Sequence, residues 1–359
     1  MRPSLHIRAD GNTAIGCGHI FRCLAYAQEW KRRGGRVTYL IHDDASVRNR
    51  LHAEGMAVEN LNAVPASKRD AELTGMKAGE GWVVLDGYHF SSEYQNLVKR
   101  AGARLLVIDD DVEELRFRAD VVLNYHGYAD ESMYPNREPN TRLLLGAFYA
   151  PLRSEFLIHS KMRRAVPKLG RRILVTCGGG DATNLTEELL RILEHVQISD
   201  LEVRVICGPA NRAYESLRAL ARESRHSVVL SRPVRNMAKH MEWADIGLTA
   251  GGLTALELAF MRVPRVIFIT AANQERTVTD LAQKGEAVNA GWTDKMDAAL
   301  VAGEVERLVR DQQARRELAA AGRSSIDGRG PERVVSAMRG EKARPRPARV
   351  AAAASRRAL

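Results

Sequence analysis

Short apolar runs recur along the chain, and the intervals between them have the length of helices. In the first half the runs are Leu5–Ile7, Val37–Ile41, Trp82–Leu85, Leu105–Ile108, Val121–Leu123 and Leu143–Leu145. They are rich in Val, Ile and Leu and do not alternate with polar residues, which predicts parallel strands buried on both faces. His19–Arg33 carries Ile20, Leu24, Ala27 and Trp30 on one helical face, and Gly34-Gly35 follows as a C-cap. The first two runs and this helix form a βαβ unit, with its loop at Ala9–Gly18. A second series follows: Ile173–Thr176, Val203–Cys207, Val228–Leu230, Ile246–Thr249 and Val266–Ile269, with helices at Leu185–His195 and Thr254–Met261.

Two successive parallel series predict an α/β protein of two Rossmann-like, doubly wound domains facing a cleft. The length of 359 residues agrees, since a single core rarely grows so large. The stretch His159–Arg172 follows neither the helical nor the strand period and contains Pro167 and Gly170. The expected division is therefore an N-terminal domain over 1–158, a linker over 159–172, a C-terminal domain over 173–339 and a basic, disordered tail over 340–359. No short repeat is visible, which argues against a solenoid.

The formal charge is +10, but Gly340–Leu359 holds six Lys or Arg against one Glu, so half of the excess lies in the tail. The remaining body suits an anionic small molecule as well as a polyanion. Aromatic residues make up 6%, which argues against stacking platforms for single-stranded nucleic acid. Cys17, Cys23, Cys177 and Cys207 give no metal-ligand pair, and a disulfide framework is not expected. No segment has the length of a signal peptide's apolar core or of a membrane span. A cytoplasmic protein without metal or cofactor, and without stable membrane insertion, is the expectation.

Three constellations carry candidate chemistry. Arg8-Ala-Asp10 ends the first strand, and Gly16-Cys-Gly18-His19 opens the following helix. Ligands of open α/β sheets bind beyond the carboxyl ends of strands, where glycine lets backbone amides approach an anion. Phe21 stands where a dinucleotide fingerprint needs its third glycine, so such a site is poorly supported. His19, at a positive helix end, reads either as a neutral base or as a hydrogen-bonded structural imidazole. Asp10 either orients it or caps the turn.

The second constellation is Thr176–Asn184, with Gly178, Gly179 and Gly180 after a strand and with Asp181 or Thr183 as a cap. It reads as a phosphate-holding loop or as a tight strand-to-helix turn. The third places Gly251-Gly252 before a helix that carries Glu257, followed by Asn273 and Gln274. A diphosphate at that helix N-terminus, with Glu257 accepting hydrogen bonds from ribose hydroxyls, is the nucleotide reading.

The order RAD…IGCGHIFRCLAYA, VVLDGYHF, LLVIDDDVEELRFRADVVLN, LLLGAFYAPLRSEF, CGGGDATNLT, TAGGLTALELAF and NQERTVTDLAQKG resembles the pseudaminic-acid pathway hydrolase family over Ser4–Trp292. Those enzymes release UDP from UDP-2,4-diacetamido-2,4,6-trideoxy-β-L-altropyranose and are similar to MurG-type glycosyltransferases of the GT-B fold. The resemblance implies a UDP-sugar substrate, no cofactor, and His19 as base in a GxGHxxR segment whose glycines are Gly16 and Gly18. It implies Arg8, Asp10, Asp86, Tyr88, Tyr149 and Arg153 on the sugar side. Gly87 stands where the family has His. The nucleotide side falls on Gly178, Gly179, Gly251, Gly252, Glu257, Asn273 and Gln274. The alternatives are a glycosyltransferase of the same fold, a nucleotide-sugar-binding protein, or a nucleic-acid binder acting through its tail.

Overall fold

A computed structural model describes residues 3–11, 18–110, 116–179, 181, 183–208, 211–232, 234 and 236–341. In chain order the first half comprises β1 (Ser4–Ala9), α1 (Gly18–Arg32), β2 (Arg36–Ile41), α2 (Ala45–Ala53), β3 (Ala57–Asn60), α3 (Lys68–Ala78), β4 (Trp82–Asp86), α4 (Ser92–Arg100), β5 (Arg104–Ile108), β6 (Val121–Asn124), β7 (Arg142–Leu145) and the single turn α5 (Ser154–Leu157). The second comprises β8 (Arg172–Thr176), α6 (Leu185–Leu193), β9 (Glu202–Ile206), α7 (Tyr214–Glu223), β10 (Ser227–Ser231), α8 (Met237–Trp243), β11 (Ile246–Ala250), α9 (Leu253–Phe260), β12 (Arg265–Ile269), α10 (Ala272–Gln283), β13 (Val288–Trp292), α11 (Ala298–Arg310), α12 (Gln312–Ser325) and α13 (Gly330–Met338).

Two all-parallel sheets result, ordered β3-β2-β1-β4-β5-β6-β7 and β10-β9-β8-β11-β12-β13. Both are doubly wound, as the pattern of runs predicts. In each, strand order reverses beside the first strand, between β1 and β4 and between β8 and β11. A crevice opens at the carboxyl ends of the strands at such a point. Central strands β4, β11 and β12 are buried throughout, whereas edge strand β3 is largely exposed.

Helix α1 ends where expected. Gly34 takes φ +82°, and its N–H donates to the Lys31 carbonyl. The inner face of α1 buries Tyr26 and Trp30, and α13 returns from the second half to pack beside it with Val334, Val335 and Met338. Arg33 Nη1 donates to Ser336 Oγ at 3.0 Å, fastening the two helices. Gly330 makes this return feasible, because a Cβ there would lie 2.2 Å from the Ala150 carbonyl oxygen. Residues 164–170 are pinned to the second half. Arg164 donates to the carbonyls of Met241, Ala244 and Met261, and Gln312 Nε2 donates to the Val166 carbonyl at 2.6 Å.

Candidate active site

The register that pairs Ala9 with Asp86 brings the β1–α1 loop beside the end of β4. His19, in the first turn of α1, thereby meets Asp86: Nδ1 lies 2.7 Å from Oδ1. A carboxylate only accepts, so Nδ1–H donates, and in the neutral ring the lone pair is then on Nε2. The His19 side chain is 16% exposed and Asp86 is fully buried. Asp86 also accepts from Arg22 Nε at 2.6 Å, from Arg22 Nη2 and from the Cys23 thiol at 3.3 Å. Burial opposes ionisation of Asp86, yet Arg22 and then His19 hold its carboxyl below the ordinary carboxylate range.

Arg22 lies three residues after His19, on the same helix face. Beyond Asp86 it reaches Asp110 Oδ2 at 2.5 Å and the Tyr125 hydroxyl at 2.9 Å. Asp86 and Arg22 thus form a buried frame that fixes the imidazole. The family resemblance places Asp86 against the sugar and gives Arg22 no role. Their signals were a lone Asp ending an apolar strand and an Arg at i+3 from the histidine.

Other predicted residues are placed differently. Among the described residues Asp10 does not meet His19; its Oδ1 accepts from the His42 N–H at 3.0 Å and pairs with Arg8 Nη1 at 2.7 Å, and the turn it was expected to cap, 12–17, lies outside the described residues. Arg8 does not line the cleft. It is fully buried, and its Nε and Nη2 grip both oxygens of Asp70 at 3.0 and 2.8 Å. Its site on β1 reads as a strand-end ligand in sequence, but Asp70, 62 residues later on α3, reaches it first. Gly16 lies outside the described residues. Gly18 begins α1, with open space where a Cβ would stand. Tyr149 accepts the Tyr26 hydroxyl on its carbonyl at 3.0 Å.

In the second half, the Gly178–Gly179 loop leaves β8 and the Gly251–Gly252 loop leaves β11, neighbours at the reversal point. Gly178 takes φ +88°. Asp181, rather than Thr183, caps α6, accepting from the Thr186 N–H at 3.0 Å. Gly251 is needed for packing, because a Cβ there would meet Val278 at 2.5 Å, whereas Gly252 faces open space. Glu257 is 3% exposed, and its Oε1 accepts from Arg153 Nη2 at 3.0 Å. Burial pushes the Glu257 carboxyl above its ordinary value, and Arg153 opposes this. Arg153 also pairs with Glu155 at 2.9 Å.

Helix α10 reaches across to the first half. Asn273 Nδ2 donates to the Tyr88 hydroxyl at 2.8 Å, and Thr277 Oγ1 lies 3.0 Å from His126 Nδ1. Arg276 covers the Tyr128 ring at 4.3 Å. The Tyr88 ring meets His19 edge-on at 5.3 Å, so the sugar-side and nucleotide-side candidates converge across the gap. Gln274 Oε1 accepts from the Thr270 N–H and hydroxyl, each at 3.0 Å. Among the described residues, no group of three His, Cys, Asp or Glu is arranged to hold a metal, and no helix is long and apolar enough to cross a membrane.

Residues 172–327 match the glycosyltransferase family 28 C-terminal domain. The chain is 23% identical over 333 residues to the spore coat polysaccharide biosynthesis protein SpsG of Bacillus subtilis, covering 92% of this chain and 96% of that one. It is 24% identical over 286 residues to the uncharacterized protein MJ1062 of Methanocaldococcus jannaschii, covering 77% of this chain but 58% of the length of MJ1062. Among solved structures, MurG of Acinetobacter baumannii superposes with a TM-score of 0.65 at 17% identity, covering 94% and 99% of the two chains. HepE of Anabaena, solved in complex with UDP, superposes at 0.61 and 12% identity, covering 94% and 100%. The two facing parallel-sheet halves have the GT-B fold.

Proposed function

We propose that the chain is a nucleotide-sugar hydrolase that cleaves the anomeric C–O bond of a UDP-linked diacetamido-trideoxy hexose by single displacement with inversion. The observation that carries this reading is the His19–Asp86 pair at the reversal point of the first sheet, with the Tyr88 ring against His19 and the Tyr88 hydroxyl joined to Asn273 of the second half. The match of residues 172–327 to a glycosyltransferase domain, the polysaccharide-biosynthesis name of SpsG and the UDP bound to HepE support a UDP-sugar as ligand.

The diphosphate sits against the backbone amides of Gly178–Gly179 and Gly251–Gly252 at the N-terminus of α9, which disperse the leaving group's charge. Oε1 of Glu257 is held by Arg153, and Oε2 accepts from the ribose. Asn273 and Gln274 border the nucleotide from α10, and Tyr88, Tyr149 and Arg153 border the sugar. On the opposite face of the anomeric carbon, His19 Nε2 removes a proton from water as oxocarbenium character develops. Asp86, charged throughout, stabilises the imidazolium that forms. The water oxygen bonds to C1, the C1–O bond breaks, and UDP departs with its electron pair.

The match to a glycosyltransferase domain favours one second reading, transfer of the sugar to an acceptor hydroxyl on the same fold. An NMR time course with the UDP-sugar in buffer alone separates them. Hydrolysis gives free sugar equal to UDP released, first as the inverted anomer. Absence of free sugar until an acceptor alcohol is added establishes transfer instead.

A further inference from the structure

At the end of α9 remote from Gly252, an open groove of about 680 Å³ lies between residues 163–166, the turn after α9 and α12. Four arginines line it, Arg163, Arg164, Arg262 and Arg316, with Ala319 and Ala320 beside them. Arg164 is committed to the carbonyls at the ends of α8 and α9, which offsets the negative poles of both helices. Arg163, Arg262 and Arg316 have no carboxylate or carbonyl partner among the described residues. Each has five N–H donors in a planar fork suited to phosphate oxygens.

The backbone supplies an independent observation. Arg262 has φ +57° and follows the C-cap Met261, its N–H donating to Ala259 and the Val263 N–H to Leu258. Glycine is the ordinary residue in that left-handed position, because a Cβ is strained there. An arginine therefore occupies a place that backbone energetics alone would give to glycine. Like charge gathers around it. Arg323, which donates to the Ile326 and Ser160 carbonyls, is held below its ordinary value by burial and by the charge of Arg262.

We infer that this groove binds a phosphate-bearing anion of diphosphate size or larger, gripped by Arg163, Arg262 and Arg316 at a site separate from the cleft. Three uncompensated guanidinium groups call for a multiply charged ligand, which a single carboxylate does not supply. The same chemistry is offered by a soluble diphosphate and by a phospholipid headgroup.

The test uses the full chain with one equivalent of UDP per protein, at a protein concentration where the cleft holds it, so that the cleft is filled and no free diphosphate competes at the groove. Inorganic pyrophosphate is titrated calorimetrically into wild type, Arg262→Gly and Arg316→Gln. Wild type takes up one equivalent, and each variant binds at least tenfold more weakly. The melting temperature of Arg262→Gly is not lower than that of wild type, since glycine relieves the left-handed backbone. Co-sedimentation with phosphatidylglycerol or phosphatidylcholine vesicles assigns the source. Capture by the anionic vesicles, reversed by pyrophosphate and lost in Arg262→Gly, supports the site and identifies a headgroup. Pyrophosphate binding without capture supports the site and identifies a soluble anion. Absence of a pyrophosphate heat, or equal affinity in all three proteins, overturns the inference.

Discussion

His19 Nδ1 and Asp86 Oδ1 are 2.7 Å apart, joined across the reversal point of a parallel sheet by residues 67 positions apart in sequence. The contact fixes the tautomer that leaves Nε2 as the proton acceptor. Replacing Asp86 by Asn removes the charge that stabilises the imidazolium, and the amide can turn its NH₂ toward Nδ1 and reverse the tautomer. Asp86→Asn is expected to lower kcat about 100-fold or more, within the range for losing general-base function, while calorimetric UDP affinity stays within a factor of two or so of wild type. Unchanged kcat in a folded Asp86→Asn protein would detach the pair from the chemistry.

The two glycines that precede α9 separate packing from binding. Gly251→Ala forces a Cβ against Val278, 2.5 Å away, and against Gln274 at 3.1 Å, which displaces α10. It should cost about 1–3 kcal/mol in urea unfolding. Gly252→Ala meets nothing within 4 Å and should leave stability unchanged. Its methyl group stands where the diphosphate approaches the helix amides, so UDP affinity falls about tenfold or more, one lost charge-assisted hydrogen bond. Wild-type affinity in Gly252→Ala would move the diphosphate elsewhere.

Glu257 acts on affinity. A carboxylate hydrogen bond to ribose is made in ground and transition states alike, so Glu257→Gln should raise the UDP Kd about 10- to 100-fold with kcat at saturation little changed. Calorimetry and saturation kinetics check both halves. A fall in kcat without a change in Kd would place Glu257 in the chemistry.

Arg8 tests the acid limb of stability. Burial opposes ionisation of Asp70 and of Asp10, but Arg8 holds the Asp70 carboxyl below the ordinary value of 3.8, and Asp10 is held down by His89 and by Arg8. A carboxylate depressed in the folded state contributes stability above its unfolded value and loses it as pH falls through the folded value. Wild type should therefore weaken as pH drops below about 4. Arg8→Met leaves two carboxylates without their cation and should cost about 3–5 kcal/mol at pH 7. Most of this difference should vanish at the acid end of a urea-unfolding series. Wild-type stability in Arg8→Met at pH 7 would contradict the buried role.

The alternation of strands and helices was legible because buried parallel strands leave unbroken apolar runs. Two strands escaped. β3, Ala57–Asn60, is an exposed edge with no apolar run, and β13, Val288–Trp292, contains Gly291 and meets β12 with a register shift. The last helix, α13, and its return to α1 through Val334, Val335 and Met338 were not read from the sequence. At the site, the glycine loops and His19 stood out through local spacing. Asp86 as the partner of His19, Arg22 as its frame and Asp70 as the partner of Arg8 depend on contacts between distant segments, which periodicity does not encode.

The most direct measurement is kcat of His19→Asn with the UDP-sugar at saturation, alongside its calorimetric UDP affinity. The account predicts turnover lower by about 10²- to 10⁴-fold with UDP binding nearly intact. Turnover equal to wild type would show that another group activates the water, and the proposed mechanism would fall.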